Sequence, residues 1–331
     1  MRAVVVEEYG GPEVLRVREV PEPRPGSGEV VVAVVVAPID FVQTQLRRGV
    51  TPGPPLPAVP YTPGSGVAGR VLAVGEGVSA DLVGTRVLGR TPGVGGANAE
   101  RAVAAAASLI PIPDGVSFAD AAALQSDGST AIGLVEGAGV RPGEYVLVEA
   151  AAGGLGSLLV QLSRAAGARV VGAARGEAKL AAVRKLGAEA VVDYSLPGWT
   201  EEARAATGGA GFDLVFDGVG GEIGRAALGL VARGGRLSVH GASSGAATEV
   251  APEEAAERGV TVLPLSQLFG FGAGAHEWTR RALEEAAAGR LTPLIGATLP
   301  LEQAAEAHAA MEARAVVGKT LLIVDEAAAP A

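Results

Sequence analysis

The chain of 331 residues contains no cysteine, only three histidines, two tryptophans and two methionines. Without a thiol there is no disulfide framework, thiolate zinc site, iron–sulfur cluster or cysteine nucleophile. His240, His276 and His308 stand far apart along the chain, so no pair has a local metal-ligand spacing and no metal is expected. Basic residues are in deficit, 27 Lys and Arg against 36 Asp and Glu, giving a net charge of −9. That balance, with no basic stripe, excludes nucleic acid as the expected partner. Long apolar runs are missing too. Stretches such as Val30 to Pro38 are too short to span a bilayer, and the start, Met1-Arg-Ala-Val-Val-Val6, meets Glu7 and Glu8 instead of an export-type apolar core. The expectation is a cytoplasmic protein with a small-molecule partner and no membrane partner.

Glycine and proline are abundant. The 49 Gly and 21 Pro make about a fifth of the chain, yet 48% of residues are hydrophobic, so the excess belongs to turns and close backbone approaches in a folded protein. The length suits two domains.

The first part reads as short valine-rich strands at Ala3–Val6, Leu15–Val20, Glu29–Ala37, Gly69–Val74 and Thr85–Leu88. Pro21-Glu-Pro-Arg-Pro25 and Pro52-Gly-Pro-Pro-Leu-Pro57 forbid helix and mark loops. From about Phe118 the pattern alternates. An alanine-rich helix from Ala119 precedes a strand Tyr145–Glu149, a helix Gly154–Ala166, a strand Arg169–Ala173, a helix Glu177–Leu186 and a strand Ala190–Asp193. Phe212–Phe216, Arg236–His240 and Val260–Leu265 continue the strands, which predicts βαβ units and a parallel sheet. Two helices, Glu277–Ala288 and Leu301–Glu312, and a strand Thr320–Val324 close the chain, with a frayed tail from Glu326 to Ala331.

The strongest chemical signal is Tyr145-Val-Leu-Val-Glu-Ala-Ala-Ala-Gly-Gly-Leu-Gly156, a buried strand that runs into a glycine turn and then a helix. Glycine there permits a tight turn, close approach of backbone to a pyrophosphate, and helix-on-strand packing. Gly153 and Gly156 fit the second and third glycines of G-x-G-x-x-G, Ala151 replaces the first, and Gly154 and Leu155 complete the turn. The next strand ends in Ala173-Ala-Arg-Gly176, with no acid to hold a ribose 2′-hydroxyl. Arg175 and Lys179 instead offer cations to a 2′-phosphate, so NADPH is expected over NADH; the alternative is two solvated surface charges.

With these residues in view, the chain resembles the medium-chain dehydrogenase/reductase superfamily, and within it the zinc-independent quinone oxidoreductase branch. The likeness rests on Gly11-Pro-Glu-Val-Leu15, Pro63-Gly-Ser-Gly-Val-Ala-Gly69, Ala73-Val-Gly-Glu-Gly-Val78, the glycine turn, Lys185-Leu-Gly-Ala188, Val191-Val-Asp-Tyr194, Phe212-Asp-Leu-Val-Phe-Asp-Gly-Val219 and Ala307-His-Ala-Ala-Met-Glu-Ala-Arg314 before Gly318-Lys319. It implies an α/β protein in which a GroES-like, partly open β-barrel domain (1–118 and 272–331) flanks a Rossmann-type doubly wound parallel sheet domain (119–271). It also implies NADPH contacts at Arg175, Lys179, Tyr194 and Arg314, approach of the loop carrying Gly241 and Ser243 to the nicotinamide end, and a homodimer joined through the strand Val260–Leu265. Zinc-dependent members use cysteine ligands that this chain lacks.

Four departures from the branch pattern stand out. Asp40 occupies a position where asparagine is usual and Gln43 one where aspartate is usual, so a carboxylate is expected beside nicotinamide and substrate, with Asp40 and Gln43 as the catalytic candidates. Asp40 reads equally as a cap of a local turn or helix. Gly66 replaces a common acid, and Gln125-Ser-Asp-Gly-Ser-Thr-Ala131 a more apolar stretch, in which Asp127-Gly128 reads as hinge or turn. Tyr61, Gln125, Phe269 and Phe271 are candidates for the substrate pocket, the two phenylalanines equally for core. The function expected is zinc-independent, NADPH-dependent reduction of a quinone, enone or enoyl compound. The alternatives are a non-redox cyclase or lyase using Asp40 as acid/base, and a non-catalytic NADPH-binding protein.

Overall fold

The computed structural model describes residues 1–51 and 55–325; part of the proline-rich loop (52–54) and the tail (326–331) lie outside the described residues. Along the chain run β1 (Arg2–Val6), β2 (Leu15–Glu19), β3 (Glu29–Ile39), α1 (Phe41–Arg47), β4 (Gly66–Val74), β5 (Arg86–Arg90), β6 (Arg101–Ala105), β7 (Ile110–Pro111) and α2 (Phe118–Ala138). Then come β8 (Tyr145–Val148), α3 (Gly154–Ala165), β9 (Arg169–Ala174), α4 (Glu177–Lys185), β10 (Ala190–Asp193), α5 (Trp199–Ala205), β11 (Phe212–Asp217), α6 (Gly221–Leu228) and β12 (Val231–Val239). The remainder is α7 (Pro252–Arg258), β13 (Thr261–Leu263), α8 (Ala275–Ala287), β14 (Ile295–Pro300), α9 (Ala304–Glu312) and β15 (Lys319–Ile323).

The chain divides into two compact units, one of Met1–Ser126 with the chain from Thr279 onward, the other of Asp127–Trp278. The divisions fall at 126/127 and 278/279, against sequence-based limits of 118/119 and 271/272.

In the first unit a sheet of order β14-β15-β3-β4-β5-β7, with β6 also on β3, curls into the partly open barrel. β3 is the reason it curls. Its eleven residues are nearly all valine, alanine or isoleucine and are buried on both faces. Register shifts against β4 between Val31 and Val32 and between Val34 and Val36 bend it. Its first half can therefore hold β6 and its second half β15. The interior is aliphatic, built on Val4, Val32, Ile39, Val67, Leu301 and Leu322.

The second unit carries a parallel sheet of order β10-β9-β8-β11-β12-β13, in which β8 is the first strand and its neighbours β9 and β11 lead away in opposite directions. That reversal of strand order is the switch point at which open α/β sheets receive ligands. Its core gathers Leu147, Val171, Phe212, Val215 and Leu237.

Several expectations need correction. Asp127-Gly128 forms no turn, because α2 runs unbroken through it. β6, β7 and β14 go beyond the sequence-based expectation: Arg-Ala-Val-Ala-Ala has a helix-former's composition, and the other two are short or carry Gly and Pro. The strand expected at Val260–Leu265 is only Thr261–Leu263. The helix expected from Leu301 begins as a single 3-10 turn before α9.

Candidate functional site

The glycine turn closes β8 and opens α3. Gly153 occupies the N-cap position of α3, and its N–H donates to the Ala150 carbonyl at 2.8 Å, while Ala150 takes a left-handed φ of 48°. A Cβ on Gly156 would lie 2.2 Å from the Ala150 carbonyl oxygen, so the helix seats on the turn only without a side chain there. Ala151, which replaces the first glycine, is fully buried and donates its N–H to Ala173 on β9. Gly154 and Leu155 stay partly accessible at the head of a helix whose leading amides point outward. This cradle, a tight turn whose close seating of α3 a Cβ on Gly156 would prevent and the partly accessible head of the helix, fits a dinucleotide pyrophosphate.

At the end of β9, Gly176 takes φ 79° and is held by Asp193 of β10, whose Oδ2 accepts the Gly176 N–H at 2.8 Å. Asp193 Oδ1 accepts from the Ser195 N–H and hydroxyl. Arg175 is exposed beside this turn, Lys179 lies one helical turn on, and Tyr194 is half-buried against the core. After β12, Gly241 approaches the β11 turn so closely that a Cβ would sit 2.4 Å from the Gly218 carbonyl oxygen. Ser244 N–H donates to Val219 at 2.9 Å, fixing the loop that carries Ser243. The structure thus brings Gly153–Gly156, Arg175, Lys179, Tyr194, Gly241 and Ser243 onto the unit that holds the parallel sheet. Arg314, with a φ of 55°, follows α9 in the barrel unit.

In the barrel unit Asp40 follows β3 and stands at the N-cap position of α1, but its side chain makes no capping bond. It accepts instead from the Lys319 ammonium at the start of β15 and from the Ser126 hydroxyl at 2.9 Å. Burial disfavours its charge, yet Lys319, Ser126 and the nearby Arg90 outweigh that and hold the carboxyl below its ordinary value. Gln43 is buried, donating to the Pro38 carbonyl at 3.0 Å and accepting from Asn98 at 3.4 Å. Gln125 is buried and donates to the Gly89 carbonyl at 2.9 Å. Tyr61 pairs by its backbone with Val6 and packs on the barrel core; burial pushes its phenol up to about 12. In the other unit Phe269 is 73% exposed, whereas Phe271 packs edge-on against Trp278 at 5.2 Å.

Sequence reasoning missed Lys319 as the partner of Asp40, because they are 279 residues apart. It also passed over Glu149, Asp217 and Arg47. Glu149 and Asp217 are fully buried at the ends of β8 and β11, and their one signal is an acid closing each apolar run. Arg47 is fully buried and ion-paired to Glu312. No three His, Asp or Glu side chains gather as metal ligands among the described residues.

Residues 26–114 match the alcohol dehydrogenase GroES-like domain family and residues 154–288 the zinc-binding dehydrogenase family. The chain is 33% identical over 328 residues to human quinone oxidoreductase, covering 98% of both chains. It is 32% identical over 332 residues to a 2-haloacrylate reductase of Burkholderia sp, covering 97% of this chain and 98% of that one. Among solved structures, Escherichia coli quinone oxidoreductase complexed with NADPH superposes with a TM-score of 0.89 at 29% identity, over 98% of this chain and all of that one. The Thermus thermophilus quinone oxidoreductase, also solved in complex with NADPH, gives 0.82 at 33% identity, again over 98% and 100%. Fold and cradle together define a medium-chain dehydrogenase/reductase. The chain belongs to the zinc-independent quinone oxidoreductase family of that superfamily, a family of oxidoreductases.

Proposed function

We propose that the protein is an NADPH-dependent reductase of a conjugated carbonyl compound, a quinone, enone or enoyl substrate. The observation that carries the cofactor choice is the end of β9, where Arg175 and Lys179 flank the Gly176 turn and the nearby acids are committed elsewhere, Asp193 to backbone and Ser195 and Glu177 to Arg184. When bound, NADPH supplies the hydride. The chain's own work is positional and electrostatic. The α3 head and the glycine turn hold the diphosphate, Arg175 and Lys179 with Tyr194 hold the 2′-phosphate, and Gly241 and Ser243 border the nicotinamide end. Hydride delivered to an electrophilic carbon would leave negative charge on the carbonyl oxygen, which a hydrogen-bond donor would offset until a solvent proton neutralised it. The Lys319 ammonium, held by Asp40, is the donor we assign to that oxygen; Asp40 is its positioning residue, and Gln43 braces the head of α1.

The cyclase or lyase alternative needs Asp40 as acid/base, with a proton to give or a carboxylate basic enough to take one. An Asp40 held ionised by Lys319 is poorly suited to that. Dimerisation through β13, at one end of the six-stranded sheet, belongs to the same proposal, with size-exclusion chromatography coupled to light scattering as its check. The main test is loss of NADPH absorbance against a panel of quinones and enones. A reductase consumes NADPH with at least one; product formation at constant NADPH would establish the non-redox reading, and neither result would leave a binding protein.

A further inference from the structure

Beneath the cofactor-facing turns lies a cluster of acids that the reductase reading does not use. Glu149 leaves the end of β8 directly before the strained Ala150, and Asp217 leaves the end of β11; both are wholly buried. Asp217 Oδ1 accepts from the N–H groups of Val219 and Gly220, at 2.9 and 2.7 Å, at the head of α6. Its Oδ2 and both Glu149 oxygens have no donor if the two groups are ionised.

One proton removes this conflict. Glu149 and Asp217 directly follow the paired residues Val148 and Phe216 on the neighbouring strands β8 and β11, so the two carboxyls stand side by side, and as a neutral acid Glu149 would donate to Oδ2. The partition follows from the surroundings. Asp217 already accepts two backbone N–H groups at the head of α6, whereas Glu149 accepts none, so the proton of the pair belongs on Glu149. Glu149, faced by burial and by Asp217, is pushed well above the carboxyl range. His240, from the end of β12, also feels the Asp217 carboxyl, which raises it, but burial outweighs this and draws it down to about 4, so it stays neutral. Helix α3 brings Ser157, whose hydroxyl donates to the Gly154 carbonyl, and α6 brings Gly224, where a Cβ would lie 2.5 Å from Asp217 Oδ2.

We propose that Glu149 and Asp217 form a proton-bridged pair that braces the β8–α3 and β11–α6 turns against each other and thereby sets the affinity of the dinucleotide site. The bridge links the residue before the phosphate cradle to the turn that anchors the Gly241–Gly245 loop. Losing its proton places two like charges in a dry interior and releases the two turns. The proposal rests on the cradle being the NADPH site, and the experiment separates the two.

NADPH and NADH dissociation constants are measured by titration from about pH 7 to 10 for the wild type, Glu149→Gln, Glu149→Leu and Gly156→Val, with melting temperatures alongside. The wild type should lose affinity for both cofactors as pH rises, by about tenfold. Glu149→Gln, whose amide N–H replaces the shared proton, should rescue the bridge and give a flatter profile; Glu149→Leu should weaken both cofactors by about tenfold at neutral pH. An alkaline loss as steep in Glu149→Gln as in the wild type would overturn the bridge, since it would come from other groups. So would wild-type affinity in folded Glu149→Leu while Gly156→Val binds poorly. Unchanged binding in Gly156→Val would remove the cradle itself as the NADPH site.

Discussion

The Lys319 ammonium at the start of β15 donates to the Asp40 carboxylate at the head of α1, across 279 residues of sequence. Lys319 is 5% exposed and Asp40 24%, so the pair is screened from solvent far more than a surface ion pair. Its consequence is that the proton-bearing member is the lysine. A carboxylate in contact with an ammonium also pins the terminal strand of the barrel to β3, which β15 already pairs from Val36 to Ile39.

Lys319→Met should therefore lower kcat for quinone or enone reduction by about two orders of magnitude, the scale of losing one oxyanion donor. NADPH affinity should change little. Asp40→Asn keeps the ammonium but loosens it, so its loss in kcat should be smaller, about tenfold. Either variant breaks a partly buried pair and should cost about 1–3 kcal/mol in urea unfolding. Full activity in Lys319→Met would remove it from the chemistry.

The cations at the end of β9 give a second test. Arg175→Ala with Lys179→Ala should weaken NADPH by about 100-fold, because each charge-assisted bond to phosphate contributes about 1.5–3 kcal/mol and part of that is screened at the surface. NADH, which lacks the 2′-phosphate, should be affected by no more than about twofold. Equal losses for both cofactors would show that these residues do not read the phosphate.

The parallel-sheet unit is legible in the sequence because its signals are local. Ala190–Asp193 reads off residue for residue, and the turn at Gly153–Gly156 from its strand-before, helix-after setting. The barrel is less legible because its strands carry alanine, glycine and proline, and because β15 finds β3 only through the fold. Asp40 illustrates the limit. Its position before α1 is what a cap requires, but whether an acid caps or pairs depends on what lies opposite, and Lys319 and Ser126 come from remote segments. Glu149 is invisible for the same reason: an acid ending an apolar strand looks solvent-exposed until its neighbour Asp217 is known.

Gly66 and Gln125 are coupled, which explains two departures at once. A Cβ on Gly66 would lie 1.8 Å from Gln125 Oε1 and 3.1 Å from Pro38. Gln125 cannot swing away without giving up its bond to the Gly89 carbonyl. Gly66→Ala should cost about 1–3 kcal/mol of stability, and Gln125→Ala in the same chain should recover most of it. Additive effects in that double-mutant cycle would mean that the two positions are independent.

Acid stability tests the buried titratable groups together, because their signs differ. Burial, reinforced by Arg47, draws His308 down to about 3, and burial draws His240 to about 4. Below their unfolded value of about 6.5 the unfolded chain binds protons that the folded chain refuses, so each removes about 1.4 kcal/mol of stability per pH unit as pH falls. Glu149 acts oppositely. Raised in the folded state, it holds a proton that the unfolded chain has released above about pH 4.5, and its contribution is lost as pH rises. Between about pH 6 and 5 the two histidines and Glu149 leave a net slope near one proton, about 1.4 kcal/mol per pH unit. Glu149→Gln removes the opposing proton and should steepen the loss to about twice that, whereas His308→Phe should flatten it toward zero. Urea unfolding at three or more pH values measures all three slopes; a wild-type slope unchanged in Glu149→Gln would show that Glu149 is ionised in the fold.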